Sequence, residues 1–100
     1  MQADPGRPPE GLSPFEAIVN LFDESQRLAV ELERHAEKMI ESVDCLRLAK
    51  QSSMSRQTAE AVSVLATEAF AIASRQASIV IDKMRANRAA KCGLVERVLR

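Results

Sequence analysis

Neither glycine nor proline occurs between Phe15 and Cys92, a run of 78 residues. These two residues disfavour helix interiors more than any others, so their absence over this length favours long helices. Aromatic residues make up 3% of the chain, and the other apolar side chains are chiefly Ala, Leu, Ile, Val and Met. Such side chains suit helices packed against one another better than a sheet. We therefore predict an all-α fold.

The start of the first helix is indicated by the segment Ser13-Pro14-Phe15-Glu16. Here the serine can cap the helix, the proline occupies the first helical position, and Glu16 can return a hydrogen bond to the capping residue. Residues 1–12 hold three of the four prolines and two of the three glycines. We predict that they form a flexible arm.

Apolar residues recur along the first predicted helix, residues 14–50, at alternating spacings of three and four. Such a repeat keeps one face of a helix directed at a partner helix over many turns. Further apolar residues beside it favour a bundle helix with two neighbours over a simple two-stranded coiled coil. The repeat consists of Phe15, Ile18, Phe22, Ser25, Ala29, Leu32, Ala36, Met39, Val43 and Leu46.

A polar, serine-rich segment from Lys50 to Gln57 separates the two halves of the chain. Serine side chains compete for backbone hydrogen bonds and favour caps and turns over helix interiors. We predict a turn at residues 52–55 that joins antiparallel helices, residues 14–50 and 55–91, into a long hairpin. The alternative is one continuous helix of roughly 117 Å, at 1.5 Å per residue.

The second predicted helix is apolar on most of its sides, since its charged residues between Gln57 and Ile81 are Glu60, Glu68 and Arg75. One partner helix of the same chain cannot cover such a surface. We therefore predict a homodimer of hairpins that packs as a four-helix bundle or coiled coil. The predicted core and interface residues are Phe15, Ile18, Phe22, Leu32, Met39, Val43, Leu46, Val62, Leu65, Ala69, Ile72 and Val80.

The end of the second helix is predicted at Gly93, because glycine commonly terminates helices. Residues 93–100 then form a short amphipathic tail, either folded back on the bundle or acting as a docking peptide.

His35, Cys45 and Cys92 are the side chains most suited to chemistry, but their spacing fits no site. A di-iron bundle motif requires Glu three residues before the histidine, where Leu32 stands. Within one hairpin the cysteines lie at opposite ends, too far apart for a disulfide, and His35 is nearly three turns from Cys45. We predict no catalytic residue, no cofactor, no metal and no enzymatic activity, and we expect reduced thiols in a cytoplasmic protein.

The net charge of the chain is zero, but residues 1–50 carry ten acidic and six basic residues while residues 51–100 carry four and eight. The acidic run Glu33, Glu37, Glu41 and Asp44 is typical of a solvated helix face. The basic patch, which we define as Lys83, Arg85, Arg88 and Lys91, is predicted either to offset the helix dipole or to bind an acidic protein partner. Nucleic acid is a less favoured ligand, because exposed aromatic platforms for base stacking are lacking.

Glu68 and Arg75 interrupt the most apolar segment, residues 61–81, so we predict no membrane span. The sequence Thr67-Glu68-Ala69-Phe70-Ala71, which follows the serine-rich segment, is similar in composition to phasin-type granule coat proteins. That similarity implies an amphipathic coat on a lipid or polymer granule as one alternative. The function we predict is a helical protein–protein interaction module: an adaptor, inhibitor or assembly factor.

Overall fold

Two helices, α1 (Pro14–Gln51) and α2 (Arg56–Leu99), make up the fold. A computed structural model describes residues 13–51 and 53–100, and this part of the chain contains no strand. The two helices contact each other as a hairpin. The prediction of an all-α helical hairpin is therefore confirmed, and the alternative of one continuous helix is wrong. The arm predicted for residues 1–12 lies outside the described residues, as does Ser52.

Both helices begin at a serine cap. The amide of Glu16 donates a hydrogen bond to Ser13 Oγ at 3.1 Å, as the sequence predicts. At α2, the amide of Thr58 donates to Ser55 Oγ at 3.2 Å, and the Ser55 hydroxyl donates to Thr58 Oγ1 at 2.9 Å. Each serine satisfies an amide that has no partner within its helix. The start of each helix is therefore fixed by short-range hydrogen bonding.

The C-terminal end of α2 differs from the prediction, because the helix continues through Gly93 to Leu99. The predicted helix end at residue 91 and the separate tail at residues 93–100 are wrong. Gly93 does not have the positive φ of a terminating glycine, and a Cβ at this position would meet no atom within 4 Å. Leu94 is buried, so apolar packing carries the helix past the glycine.

Contacts divide the chain into two units. Among the described residues, unit 1 consists of residues 13–30 with Ile81–Arg100, and unit 2 consists of residues 31–51 and 53–80. In unit 1 the buried apolar residues are Ala17, Leu28 and Leu94. Asn87 of α2 is also buried, and its Nδ2 donates a hydrogen bond to the Leu21 carbonyl of α1 at 2.9 Å.

Small side chains form the packed face of α2 in unit 2. Ala66, Ala73 and Val80 are buried at a spacing of seven residues, and Ala77 is buried beside them. Alanine lets two helix backbones approach closely, but it removes little apolar area from water. The largest fully buried side chain is Val80. The packing within unit 2 therefore leaves most of its larger apolar side chains uncovered.

The packed face of α1 only partly coincides with the predicted repeat. Ile18, Leu32, Met39 and Leu46 are half-buried. The other line of predicted residues is exposed, as Phe15, Phe22 and Val43 show. The face of α1 that packs instead carries a second line of residues at seven-residue spacing, which we call a heptad line. It contains Leu21, Leu28, His35, Ser42 and Ala49. Among the described residues α1 has one neighbouring helix, whereas its apolar face is wide enough for two, so one line of apolar residues is left uncovered there.

Candidate interaction surface

Large apolar side chains are widely exposed among the described residues. Exposed apolar residues scattered singly are common on soluble proteins, but contiguous rows of them indicate a surface that binds a partner. The exposed ones are Phe15, Val19, Phe22, Val30, Ile40, Val43, Leu48, Val64, Leu65, Phe70, Ile72, Ile79, Ile81, Val95, Val98 and Leu99.

The most regular row lies on α2 within unit 2, and we call it the α2 stripe: Val62, Leu65, Ala69, Ile72, Gln76 and Ile79. Its members alternate at spacings of three and four and therefore share one helix face. Leu65, Ile72 and Ile79 are 66%, 53% and 50% exposed. None of the six carries a charge, so the row has the composition of a coiled-coil contact. No second helix from the described part of the chain covers Leu65, Ile72 or Ile79.

One end of the α2 stripe contributes to a groove with α1. This Cys45 groove is lined by Cys45, Val62, Leu65, Ala66 and Ala69. Glu41 and Ser42 complete its lining. The groove brings together three of the residues predicted to form the core or interface: Val62, Leu65 and Ala69.

A second groove in unit 2, the Phe70 groove, is lined by Ala36, Met39, Ile40, Val43 and Phe70. Asp44 and Arg47 complete the lining and form an exposed ion pair at 3.5 Å. Met39 and Val43 belong to the predicted core and interface residues. Ile40 is one of the further apolar residues beside the predicted repeat, and Phe70 was not predicted to belong to this surface. Ile40 does stand four residues after Ala36 and three before Val43, a spacing that places all three on one face.

The Cys92 groove belongs to unit 1 and combines apolar and basic residues. It is lined by Phe22, Arg88, Lys91, Cys92, Val95 and Glu96. Lys91 Nζ lies 4.7 Å from the centre of the Phe22 ring, within the range of a cation–π interaction.

The predicted basic patch is divided among different contacts. Lys91 is engaged by Phe22, and Arg85 forms an ion pair with Asp82 at 3.7 Å. Lys83 and Arg88 are exposed. The ion pair of Arg85 is exposed and therefore contributes little to stability, so it does not prevent the patch from binding an acidic partner. Binding of an acidic protein by the basic patch stays a prediction.

His35 occupies the packed face of α1 in unit 2. Its Nε2 atom is buried without a hydrogen-bond partner and lies 3.8 Å from Glu31 Oε1, beyond hydrogen-bonding distance. Within residues 13–51 and 53–100, no group of three or more His, Cys, Asp or Glu side chains is arranged to hold a metal ion. Cys45 and Cys92 are free and exposed.

By length and composition alone, α2 is apolar enough to cross a membrane, and 17% of its most apolar 18-residue window is buried. Core helices of soluble proteins often meet the same criterion, but they are mostly buried. Glu68 and Arg75 would oppose insertion, and the absence of a membrane span stays a prediction. The low burial shows that the described residues leave the apolar surface of α2 largely uncovered.

No protein-family profile, curated protein or solved structure matches the chain.

Proposed function

We propose that this chain is a non-enzymatic protein–protein interaction module that acts as a cytoplasmic homodimer of helical hairpins. The observation that carries the proposal is the α2 stripe, in which Leu65, Ile72 and Ile79 remain at least half exposed. A second set of helices is the covering that such a row is suited to, because coiled-coil contacts use the same spacing.

The small-residue interface of unit 2 supports the same proposal. Burial of Ala66, Ala73 and Ala77 contributes less than burial of leucines or isoleucines would, since the hydrophobic gain scales with the area removed from water. A hairpin held mainly by alanines gains substantially when a second hairpin covers its exposed apolar residues. Dimerisation therefore supplies stability that the single chain lacks.

The test is the mass of the purified protein in solution. Sedimentation equilibrium at micromolar concentrations is expected to give twice the 11.0 kDa of one chain. The thermal midpoint should rise with protein concentration, because folding and association are then linked. A folded monomer whose midpoint does not depend on concentration contradicts the proposal.

A second candidate function is a coat on a lipid or polymer surface, and the specific observation that favours it is the exposed apolar surface of α2. Co-sedimentation with vesicles or polymer granules tests this function. Binding that saturates while the unbound protein stays monomeric would favour the coat over the dimer.

The basic patch gives the proposed module a surface for an acidic protein. Lys83→Glu with Arg88→Glu should weaken binding to an acidic polypeptide such as polyglutamate, and the weakening should shrink as salt is raised. Stronger binding to duplex DNA or RNA than to the acidic polypeptide would instead indicate that the basic patch binds nucleic acid in preference to an acidic protein.

A further inference from the structure

We propose that two copies of this chain associate through the α2 stripe in an antiparallel, two-fold symmetric register that pairs Glu68 of each copy with Arg75 of the other. This inference rests on the proposed self-association and specifies its surface, direction and register. It is carried by the position of the two charges relative to the exposed apolar row.

Glu68 and Arg75 lie immediately beside the α2 stripe. At 100° per residue, both fall on the edge of the stripe that faces away from the buried residues Ala66, Ala73 and Val80. The stripe is thus bounded on one side by its own hairpin interface and on the other by one acid and one base. In coiled coils, charges at this edge choose the partner and its direction.

The two charges have no partner of their own in the structure. Both side chains are exposed, and neither forms an ion pair with another described residue. They are seven residues apart on one helix, roughly 10 Å along its axis, which is too far for a direct pair. Within residues 13–51 and 53–100 neither charge has a partner, and a second copy can supply one to each.

A second copy supplies those partners only if it runs in the opposite direction. In a two-fold antiparallel arrangement, Glu68 faces Arg75 of the second copy, and symmetry repeats the pair on the other side of the axis. A parallel two-fold arrangement would instead place the two Glu68 side chains on opposite sides of the contact, each beside the edge of the second copy that holds Ala73, so neither Glu68 nor Arg75 would meet an opposite charge. The charge pattern therefore selects the antiparallel direction.

The apolar residues fit the same register. When Glu68 is set against Arg75, the contact layers place Ile72 against the small Ala69 of the second copy and Val62 against Ile79. Leu65 faces the aliphatic stem of Gln76. Large residues oppose small or flexible ones in the central layers, an arrangement that packs without voids. Apolar and charged residues thus specify one and the same pairing.

Charge reversal tests the register. Glu68→Arg and Arg75→Glu should each weaken the dimer about tenfold at low salt, because each creates two like-charge pairs. The double variant Glu68→Arg/Arg75→Glu should restore the dissociation constant to within about threefold of the original, since the pairs return with their signs exchanged. A dimer whose dissociation constant is unchanged by both single substitutions would overturn the register. A double variant that dimerises as weakly as the single variants would do the same.

A matched pair of apolar variants tests the surface. Ile72→Gln should weaken the dimer about a hundredfold, because it removes apolar burial twice at the two-fold axis. Val64→Gln is the control, as Val64 is 57% exposed against 53% for Ile72 but lies outside the stripe. Gln is neutral and favours helix, so hairpin helicity should be unchanged in both. Equal effects of the two substitutions overturn the proposed surface.

Spin labels test the direction. With Cys45 and Cys92 replaced by Ser, a label on Ala61→Cys should lie about 30 Å from its copy in the antiparallel register, from 19 residues of axial offset at 1.5 Å each. A parallel dimer would give about 10 Å, the distance between packed helices. The short distance would overturn the antiparallel direction.

These outcomes separate this inference from the proposed function. A dimer that fails the charge, surface or distance test retains self-association and loses this interface. A chain that stays monomeric loses both. Monomeric protein that binds phosphatidylcholine–phosphatidylglycerol vesicles, with binding lost in Ile72→Gln, assigns the stripe to a lipid surface and overturns the second copy.

Discussion

Unit 1 and unit 2 are both pairs of helical segments, but different side chains hold them together. Unit 1 buries two leucines, Leu28 and Leu94, and fixes its pairing with the hydrogen bond from Asn87 to the Leu21 carbonyl. Unit 2 packs through alanines and leaves the α2 stripe exposed. A buried polar group at an interface specifies one register, because any other register leaves it without a partner.

This difference assigns different roles to the two units. Unit 1 carries the element that sets the register of the hairpin, and the proposed association of unit 2 supplies stability from outside the chain. Ser42, Ser63 and Thr67 of unit 2 fit the same division, since each of these three hydroxyls donates to the carbonyl four residues earlier in its own helix. Those bonds satisfy the hydroxyls without linking α1 to α2.

The largest expected effect comes from breaking the specific element of unit 1. Asn87→Asp should lower the free energy of unfolding by about 3 kcal/mol or more, because it buries a carboxylate against a carbonyl oxygen. Urea denaturation at fixed protein concentration measures the change. Asn20→Asp is the control on an exposed position of α1 and should change the free energy by less than about 0.5 kcal/mol. Equal effects at the two positions would show that the Asn87 contact does not hold unit 1.

A smaller effect is expected from overfilling unit 2. Ala73→Leu should destabilise the hairpin by about 2 kcal/mol, because the close approach of the helices leaves no room for a larger side chain. Ala71→Leu, at an exposed position two residues away, is the matched control and should be nearly neutral. Thermal unfolding followed by circular dichroism measures both. If Ala73→Leu left the thermal stability unchanged, the alanine interface would have enough room for a leucine side chain.

The unpartnered histidine of unit 2 allows a change in the opposite direction. His35→Leu should stabilise the hairpin by about 1 kcal/mol, since it replaces a buried nitrogen that lacks a hydrogen bond with an apolar group. Glu31→Gln serves as the control, because the 3.8 Å contact between Glu31 and His35 is too long to contribute a hydrogen bond. A loss of stability in His35→Leu would show that the imidazole makes a favourable contact within unit 2.

Local features of the fold could be predicted from sequence, and the choice of packed face could not. Ser13 and Ser55 bond to the amides of residues three positions later, so their role depends only on a few adjacent residues. The face of α1 is different, because two heptad lines of apolar residues lie side by side on it. One line includes Phe22 and the other includes Leu28, and only the position of α2 decides which is covered.

The residues of the candidate interaction surface could likewise be predicted only in part from the sequence. Leu65 and Ile72 could be assigned to a contact surface because the excess of apolar residues on α2 is visible in the sequence. Their exposure, rather than contact with α1, follows from the alanines that α2 directs at α1. The sequence contains those alanines, but their seven-residue spacing does not by itself indicate which helix packs against them.

The smallest expected effect concerns Gly93, the position where the sequence misled the prediction of the helix end. Glycine terminates a helix only where the backbone takes a positive φ, and Gly93 does not. Because a Cβ there meets no atom within 4 Å, Gly93→Ala should stabilise unit 1 by about 0.5–1 kcal/mol through its higher helix propensity. Ala90→Gly, at an exposed position of the same helix, should cost about the same amount. Urea unfolding of both variants tests whether α2 is helical through residue 93, since a destabilising Gly93→Ala would place the helix end at the glycine after all.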